Sequence, residues 1–282
     1  MVQTFDSDGR LVAQHAGMAD ASAALEQGAY TTFRTYRRNR VLRLSQHLRR
    51  LEESLTLMNG LPAASIDDVR VRRAIASILT QTGYAETRFR LTYASSGVFI
   101  SVESFTPYGP ELFEQGVRCT SVSLHRDNPH AKSTTFISSA AQAYKQLPAG
   151  VHEGLMLAQD GTILEGLSSN FFAVTMLPVS SEEVDGGVPV LRTEEARVLI
   201  GVTRSLVLEV ARGVLPVTPV AVRYVDLPRV NECFITSVSR EIMPVVQIDE
   251  RVIGEGVPGP ITRELMRRFA ELVAREAEPI DG

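Results

Sequence analysis

The chain has 282 residues, of which 44% are hydrophobic and 22% charged, with a formal net charge of −4. This length allows a large buried core and two domains. The negative net charge argues against a nucleic-acid partner or an anionic membrane surface. Cys119 and Cys233 stand far apart and outside any CxxC pattern, which argues against a cysteine zinc site and a disulfide framework. We expect no metal.

The N-terminus (MVQTFDSDGR) is more polar than a signal peptide. No apolar run approaches the roughly 18 residues that a membrane-spanning helix needs. We therefore expect a cytoplasmic protein that does not enter a membrane.

The first part of the chain predicts a small α/β unit. Apolar residues at helical spacing predict a helix over residues 45–59, and a similar pattern predicts a second helix over 66–82, between Ser65 and Gly83. Strict alternation then predicts two strands. The apolar faces consist of Phe89, Leu91 and Tyr93 in the first strand, and Val98, Ile100 and Val102 in the second.

A change of composition follows these strands. The segment Thr106–Pro110 holds two prolines and one glycine, which is typical of a linker. We expect a small α/β domain over residues 1–108, a linker over 109–115 and a larger strand-rich domain over 116–282.

Strands are the main predicted elements of the larger domain. Residues 154–158 and 162–165 flank Asp160-Gly161, a two-residue hairpin signal in which both turn positions favour a positive φ. An apolar strand is predicted from Asn170 to Thr175. Amphipathic helices are predicted over residues 203–212 and 261–276.

Lysine is rare in this sequence: of 29 basic residues, only Lys132 and Lys145 are lysines. Arginine replaces lysine well on surfaces but cannot lose its proton and form an imine. Lys145 lies near the end of a predicted helix, where an exposed cation is favourable. Lys132 is therefore the better candidate for a reactive amine.

Two further segments could carry chemistry. Glu165 lies where a strand runs into a turn, which is typical of an exposed carboxylate but also allows one beside a cavity, paired with a protonated ring nitrogen. The segment Leu199–Arg204 leads through Gly201 into a helix, whose first N–H groups could seat a phosphate. It is not a P-loop, because the GxxxxGK[ST] spacing is absent.

The order of these features resembles the class IV (fold type IV) pyridoxal-phosphate enzymes. That family includes branched-chain and D-amino acid aminotransferases, (R)-selective amine transaminases and aminodeoxychorismate lyase. The resemblance spans residues 5–276, and the EGxSSNxF stretch is its most specific element. The matching segments are GAYTTFR at 28–34, HLRRL at 47–51, Lys132, EGLSSNFF at 165–172, GVTR at 201–204 and FITS at 234–237.

The resemblance implies a two-domain α/β (α+β) fold, with a small N-terminal domain and a larger strand-rich pseudo-barrel domain. It also implies pyridoxal 5'-phosphate as cofactor and at least a homodimer. Lys132 would bond to the cofactor, and Glu165 would pair with its ring nitrogen. The phosphate would be held by Arg50, Val202, Thr203, Ser237 and Val238.

The implied activity is transfer of an amino group from a branched-chain or other apolar L-amino acid to a keto acid such as 2-oxoglutarate, with ping-pong kinetics. The alternatives are aminodeoxychorismate lyase, an (R)-selective amine or D-amino acid transaminase, and a non-catalytic protein that binds the cofactor. The run Tyr93-Ala-Ser-Ser departs from the Arg-Gly stretch of D-amino acid aminotransferases, which argues against typical D-amino acid use.

Candidate substrate residues are Tyr30, Arg88 and Ser239. Ser239 follows Val238, which stands where several relatives have threonine. Arg88 shares a strand face with Arg90. Two arginines on one face form either a solvated rim or, if Arg88 reaches the pocket, a binding site for the distal carboxylate of a dicarboxylate.

Overall fold

The computed structural model describes residues 1–59, 65–178 and 187–280. The chain forms two compact units. The first unit combines Met1–Pro107, Asn128–Ala141 and Val273–Gly282. The second combines Tyr108–Asp127 and Gln142–Leu272.

The described chain contains both strands and helices. The strands are β1 (Val2–Asp6), β2 (Leu11–His15), β3 (Gly28–Tyr36), β4 (Arg40–Leu42), β5 (Thr87–Ala94), β6 (Gly97–Ser104), β7 (Val117–Val122), β8 (Glu153–Leu157), β9 (Ile163–Gly166), β10 (Asn170–Pro178), β11 (Gly187–Arg192), β12 (Val217–Thr218), β13 (Val230–Ser237), β14 (Glu241–Ile248), β15 (Arg251–Val252) and β16 (Ala277–Pro279). The α-helices are α1 (Met18–Ala23), α2 (Leu44–Asn59), α3 (Asp68–Thr82), α4 (Pro110–Gln115), α5 (Thr135–Lys145), α6 (Val202–Ala211) and α7 (Pro260–Glu276), and a 3-10 helix covers Tyr224–Arg229.

The first unit is built on one seven-stranded sheet, in the order β16-β4-β3-β5-β6-β1-β2. Strand β5 pairs antiparallel with β3 and β6. The predicted apolar faces pack into its core, where the rings of Phe33 and Phe89 stack with centroids 5.1 Å apart. Strands β5 and β6 are thus confirmed on the faces that the alternation predicted.

Helices α2 and α3 supply the rest of this core. Helix α2 begins at Leu44, one residue before the predicted start, and buries Leu48, Leu51 and Leu55. Helix α3 begins at Asp68, because the carboxylate of Asp67 accepts the backbone N–H of Arg70 at 3.0 Å. The predicted start of this helix after Ser65 is therefore two residues too early. Its end at Gly83, in the left-handed region with φ 63°, is confirmed.

The second unit is built on a nine-stranded sheet. Six of its strands follow one another as β10-β13-β14-β7-β8-β9, and β9 pairs back onto β10, which closes a barrel. The closing pair is Asn170 with Glu165. The interior is apolar, and cysteines 119 and 233 lie in it as free thiols, both buried. The predicted strand-rich pseudo-barrel is confirmed.

The hairpin between β8 and β9 is confirmed, but the predicted turn is wrong. Gly161 has a φ of 78°, whereas Asp160 does not adopt a positive φ. Gly161 N–H donates to the carbonyl of Ala158 at 2.9 Å, and the Asp160 carboxylate accepts the N–H of Thr162 at 2.9 Å. The connection is a tight turn followed by one left-handed glycine, because the aspartate side chain bonds the backbone two residues ahead.

The remaining predicted elements start and end within a few residues of the observed ones. Strand β10 extends the predicted 170–175 to Pro178, while helices α6 and α7 each begin one residue earlier than predicted. The predicted linker 109–115 contains α4, which starts at Pro110 and belongs to the second unit. The division into domains 1–108 and 116–282 stays a prediction. Among the described residues, no helix is both long enough and apolar enough to span a membrane.

Candidate functional site

In the first unit, the segment that carries Lys132 is fastened to strand β3. The N–H of Tyr30 donates to the carbonyl of Lys132 at 2.9 Å, and Thr134 exchanges hydrogen bonds with Gly28 through its N–H (2.8 Å) and its hydroxyl (3.0 Å). The Lys132 ammonium lies 4.7 Å from the centroid of the Tyr30 ring. Lys132 is half-buried, whereas Lys145 is exposed at the last residue of α5. The structure therefore gives Lys132 the more enclosed environment of the two.

The same segment is tied to helix α2. The N–H of Lys132 donates to the hydroxyl of Ser54 at 3.1 Å, and that hydroxyl donates to the carbonyl of Arg50 at 2.8 Å. The guanidinium of Arg50 donates from Nη2 to the hydroxyl of Thr31 at 2.8 Å. Three of the predicted site residues, Tyr30, Arg50 and Lys132, are thus brought together by β3 and α2.

Strand β5 places its two arginines differently. Arg88 pairs with Glu103, directly across on β6, and its side chain is 36% exposed. Arg90 is half-buried, donates to the carbonyl of Met18 and the hydroxyl of Ser22, and lies 5.0 Å from the centroid of the Tyr30 ring. Loss of solvent around its guanidinium lowers the pKa of Arg90. Arg90 therefore contacts the predicted substrate residue Tyr30, which the sequence reasoning did not foresee.

In the second unit, Glu165 is buried, with 3% of its surface exposed. Its Oε1 accepts from Nε of Arg126 at 3.1 Å. Its Oε2 accepts from the amide of Asn170 at 3.0 Å and from the N–H of Leu199 at 3.2 Å. Three donors around a buried carboxylate stabilise its ionised form. The interpretation of Glu165 as an exposed strand-end carboxylate is therefore wrong, because the barrel closes over it.

Asn170 joins Glu165 to the start of α6. Its amide also donates to the carbonyl of Leu199 at 2.8 Å. A Cβ at Gly201 would lie 2.5 Å from the Asn170 side-chain oxygen, so only glycine lets this loop pass so close. Helix α6 then begins at Val202, and its N-cap residue Gly201 provides no side-chain cap. Val202 and Thr203, both buried, therefore offer first-turn N–H groups beside Glu165.

The end of β13 and the turn that follows it carry three more predicted residues, Ser237, Val238 and Ser239, all half-buried. It neighbours Glu165 through β10, because Asn170 pairs with Glu165 on one side and with Thr236 on the other. The Ser237 hydroxyl accepts the N–H of Arg240 at 3.3 Å. The structure thus brings Glu165, the start of α6 and the 237–239 turn to one end of the barrel.

A buried ion pair supports this end of the barrel. Glu153 is fully buried, and its Oε2 lies 3.3 Å from Nη1 of Arg240. Burial alone would lower the pKa of Arg240, but the charge of Glu153 offsets it and leaves the pKa raised. The same carboxylate accepts from the hydroxyls of Ser169 (2.9 Å) and Tyr144 (2.5 Å). Glu153 therefore links the 166–169 corner to the turn that ends at Arg240.

Each unit carries groups of the kinds that a phosphorylated heteroaromatic ring needs. An amine (Lys132) and a guanidinium (Arg50) belong to the first unit. A buried carboxylate (Glu165) and an uncapped helix start at Val202 belong to the second. A dianionic phosphate calls for a guanidinium and helix N–H groups, and a basic ring nitrogen calls for a carboxylate. In the described ranges, no group of three potential metal ligands is present.

Several site residues were not found from the sequence. No sequence pattern marked Arg126, because an isolated arginine in a predicted loop looks like any surface arginine. Asn170 was part of the EGLSSN segment, but its hydrogen bond to the carbonyl of Leu199 joins two segments that are far apart in the chain. Glu153 and Arg240 lie 87 positions apart in the chain, and only the barrel brings them together.

Comparison with known proteins gives these features a context. Residues 28–248 match the family model described as amino-transferase class IV. The chain is 28% identical over 261 residues to a branched-chain-amino-acid aminotransferase of Pseudomonas aeruginosa, which covers 84% of this chain and 80% of that protein. A 172-residue stretch is 31% identical to a Methanocaldococcus jannaschii protein provisionally named a branched-chain-amino-acid aminotransferase, and covers 59% of this chain and 56% of that protein.

The fold is also found among solved structures. A structure from Thermotoga maritima, provisionally named a branched-chain amino acid aminotransferase, superposes with a TM-score of 0.76 at 22% identity. The superposition covers 97% of this chain and 96% of that one. At this level of identity the likeness establishes the fold.

Proposed function

The chain belongs to the class IV aminotransferase family, and we propose that it transfers the amino group of a branched-chain or other apolar L-amino acid to a keto acid such as 2-oxoglutarate. The observation that carries this proposal is the buried Glu165 carboxylate, held by three N–H donors where the barrel closes. A carboxylate in that state suits a protonated ring nitrogen, which is the pairing that an electron-accepting cofactor needs.

Pyridoxal 5'-phosphate is the cofactor in this proposal. Lys132 would hold it through a covalent bond, and Glu165 would pair with its ring nitrogen. When bound, the cofactor would supply a pyridine ring that takes up the electron pair released at the substrate α-carbon. The phosphate would be held by Arg50, by the N–H groups of Val202 and Thr203, and by Ser237 and Val238.

The chain's own residues then divide the work. The substrate amine would displace Lys132 from the cofactor, and the freed Nζ of Lys132 would then remove the proton from the substrate α-carbon and return it to the cofactor carbon. Glu165 keeps the ring nitrogen protonated, because Arg126 and Asn170 hold its carboxylate in the ionised form. The two substrates use the same site in turn, so ping-pong kinetics are expected.

The substrate is proposed to meet Tyr30, Arg88 and Ser239. Arg90 joins this set, because its guanidinium lies against the Tyr30 ring and its buried Nε has no hydrogen-bond partner among the described residues. A guanidinium with a buried, unused donor suits a substrate carboxylate. The pairing of Arg88 with Glu103 makes Arg90 the stronger candidate for that role.

The test is a panel of amino donors added to the holoenzyme without an acceptor. We expect L-leucine, L-isoleucine and L-valine to replace the absorbance of the bound aldehyde form with that of the amine form. Addition of 2-oxoglutarate should then restore the original spectrum. No response to any donor contradicts an aminotransferase and leaves either the lyase or a protein that binds the cofactor without turnover.

Other outcomes assign the remaining activities. Response only to D-amino acids or to (R)-amines without a carboxylate indicates those transaminases. Release of pyruvate from aminodeoxychorismate, without conversion of the cofactor to its amine form, indicates the lyase. Each of these results contradicts the proposed substrate class.

Assembly and location are part of the same proposal. We expect a homodimer or a higher homo-oligomer, as the family resemblance implies, and a cytoplasmic location. Sedimentation equilibrium of the purified holoenzyme measures the first, and a monomer of 30.9 kDa at micromolar concentration contradicts it.

A further inference from the structure

Thr31 lies between two side chains of helix α2. It belongs to β3 and is completely buried. Its hydroxyl oxygen lies 2.8 Å from Nη2 of Arg50 and 3.1 Å from Nδ1 of His47. Arg50 and His47 are three positions apart on α2 and so share a helix face. The three side chains form one continuous chain of hydrogen bonds.

The direction of this chain follows from the donors. A guanidinium has only N–H donors, so the Thr31 oxygen accepts from Arg50. Within the described part of the protein, the hydroxyl proton of Thr31 has one acceptor in reach, Nδ1 of His47. His47 therefore carries no proton on Nδ1, and the order of donation is Arg50 to Thr31 to His47.

The surroundings of His47 favour the neutral ring. His47 is 3% exposed, and its ring meets that of Phe33 at 5.8 Å and 52°. Burial lowers the pKa of His47 well below its usual range, and the positive charges of Arg50 on the same helix and of Lys132 lower it further. A neutral histidine with a free Nδ1 lone pair is the state that the hydrogen-bond chain requires.

We propose that His47 is a positioning residue, which acts through the Thr31 hydroxyl to fix the Arg50 guanidinium in the orientation that binds the cofactor phosphate. The proposal rests on the proposed function, because it takes Arg50 as a phosphate ligand. A guanidinium held at one Nη by a fixed acceptor presents its remaining donors in a fixed direction. An unheld arginine must lose its side-chain freedom each time the phosphate binds.

The test compares two matched pairs of variants. Thr31→Val removes the hydroxyl and keeps the shape, and Thr31→Ser keeps the hydroxyl. His47→Leu removes the acceptor, and His47→Asn keeps an oxygen close to the position of Nδ1. The apoproteins are titrated with pyridoxal 5'-phosphate and, separately, with pyridoxal, which has no phosphate.

We expect Thr31→Val and His47→Leu to bind pyridoxal 5'-phosphate about 10-fold or more weakly than their partner variants, the size of one lost hydrogen bond to a charged group. Affinity for pyridoxal should be the same within each pair. Equal losses for both ligands would show a structural role and overturn the proposal. Equal affinity of Thr31→Val and Thr31→Ser for pyridoxal 5'-phosphate would overturn it too.

An Arg50→Met variant separates this inference from the proposed function. If Arg50→Met binds pyridoxal 5'-phosphate as tightly as wild type, Arg50 is not a phosphate ligand, and both the proposed phosphate site and this inference are wrong. If Arg50→Met binds it weakly but Thr31→Val does not, the phosphate site stands and only the positioning role of His47 is wrong.

Discussion

Replacing Glu165 by glutamine puts an NH₂ group in place of one oxygen of a carboxylate that accepts hydrogen bonds from Arg126, Asn170 and Leu199. The amide NH₂ must replace either Oε1, which faces Nε of Arg126, or Oε2, which faces the amide of Asn170 and the N–H of Leu199. In the first orientation the NH₂ group faces one N–H donor, and in the second it faces two. We therefore expect the first, with a stability loss of about 1–3 kcal/mol for one buried donor without its acceptor.

The effect of Glu165→Gln on the rate should be larger than its effect on stability. A neutral amide cannot keep the ring nitrogen of the proposed cofactor protonated, so the α-proton is removed without a full electron sink. We expect the single-turnover rate with an apolar L-amino acid to fall about 10²–10³-fold, as for other preorganised electrostatic contacts. Cofactor content should stay close to that of wild type.

Glu232→Gln is the matched control. Glu232 is also a buried carboxylate of the second unit, and its two oxygens accept the N–H groups of Ile261 (3.1 Å) and Thr262 (2.7 Å) at the start of α7. In Glu232→Gln one of these two N–H groups also loses its acceptor. Urea unfolding should therefore show a similar stability loss, while the single-turnover rate stays close to that of wild type. A near-normal single-turnover rate in Glu165→Gln, or equal rate losses in both variants, would refute the role given to Glu165.

Three further predictions use other residues of the two units. Borohydride reduction of the holoenzyme should link the cofactor permanently to Lys132, and a cofactor linked to Lys145 instead would contradict the assignment. Lys132→Ala should lose turnover and the imine absorbance, whereas Lys145→Ala should match wild type. Arg90→Ala should raise the KM for 2-oxoglutarate more than Arg88→Ala, because Arg88 is held by its carboxylate partner across the sheet; the reverse order in steady-state kinetics would return the substrate role to Arg88. The pKa of His47 is lowered in the folded protein, so on acidification His47 is protonated in the unfolded chain before it is protonated in the folded one. The free energy of unfolding should therefore fall as the pH drops below about 6.5. Urea titrations in which His47→Asn loses as much stability in acid as wild type would contradict this.

Periodicity in the sequence predicted the longer helices α2, α3, α6 and α7 and the strands β5, β6, β8, β9 and β10, whereas strands such as β1, β3, β13 and β14 were not predicted. The alternation at Phe89 and Leu91 marks a strand with one apolar face, and the spacing of Leu48 and Leu51 marks a helix with an apolar stripe. Both signals come from local backbone geometry and from burial of the resulting face. The ends of elements were less certain, because they depend on single contacts such as the Asp67 carboxylate on the Arg70 N–H.

The candidate site was predictable only in its chemistry. The scarcity of lysine singled out Lys132, and the order of motifs singled out Glu165, because both arguments need residue types and spacing alone. The sequence could not distinguish Arg88 from Arg90, which have the same type and the same strand face. Their difference comes from neighbours on other elements: Glu103 across the sheet for Arg88, and Tyr30 for Arg90.

The sequence by itself determined the type of the elements with a strong apolar period and the residue types available for chemistry, since both depend on patterns a few residues long. Only the tertiary structure decided that the barrel closes at Glu165 and Asn170, and that Thr31 lies between Arg50 and His47. Such contacts join strands and helices that are distant in the chain. Their geometry is set by the packing of whole elements against each other, and no local pattern of residues records it.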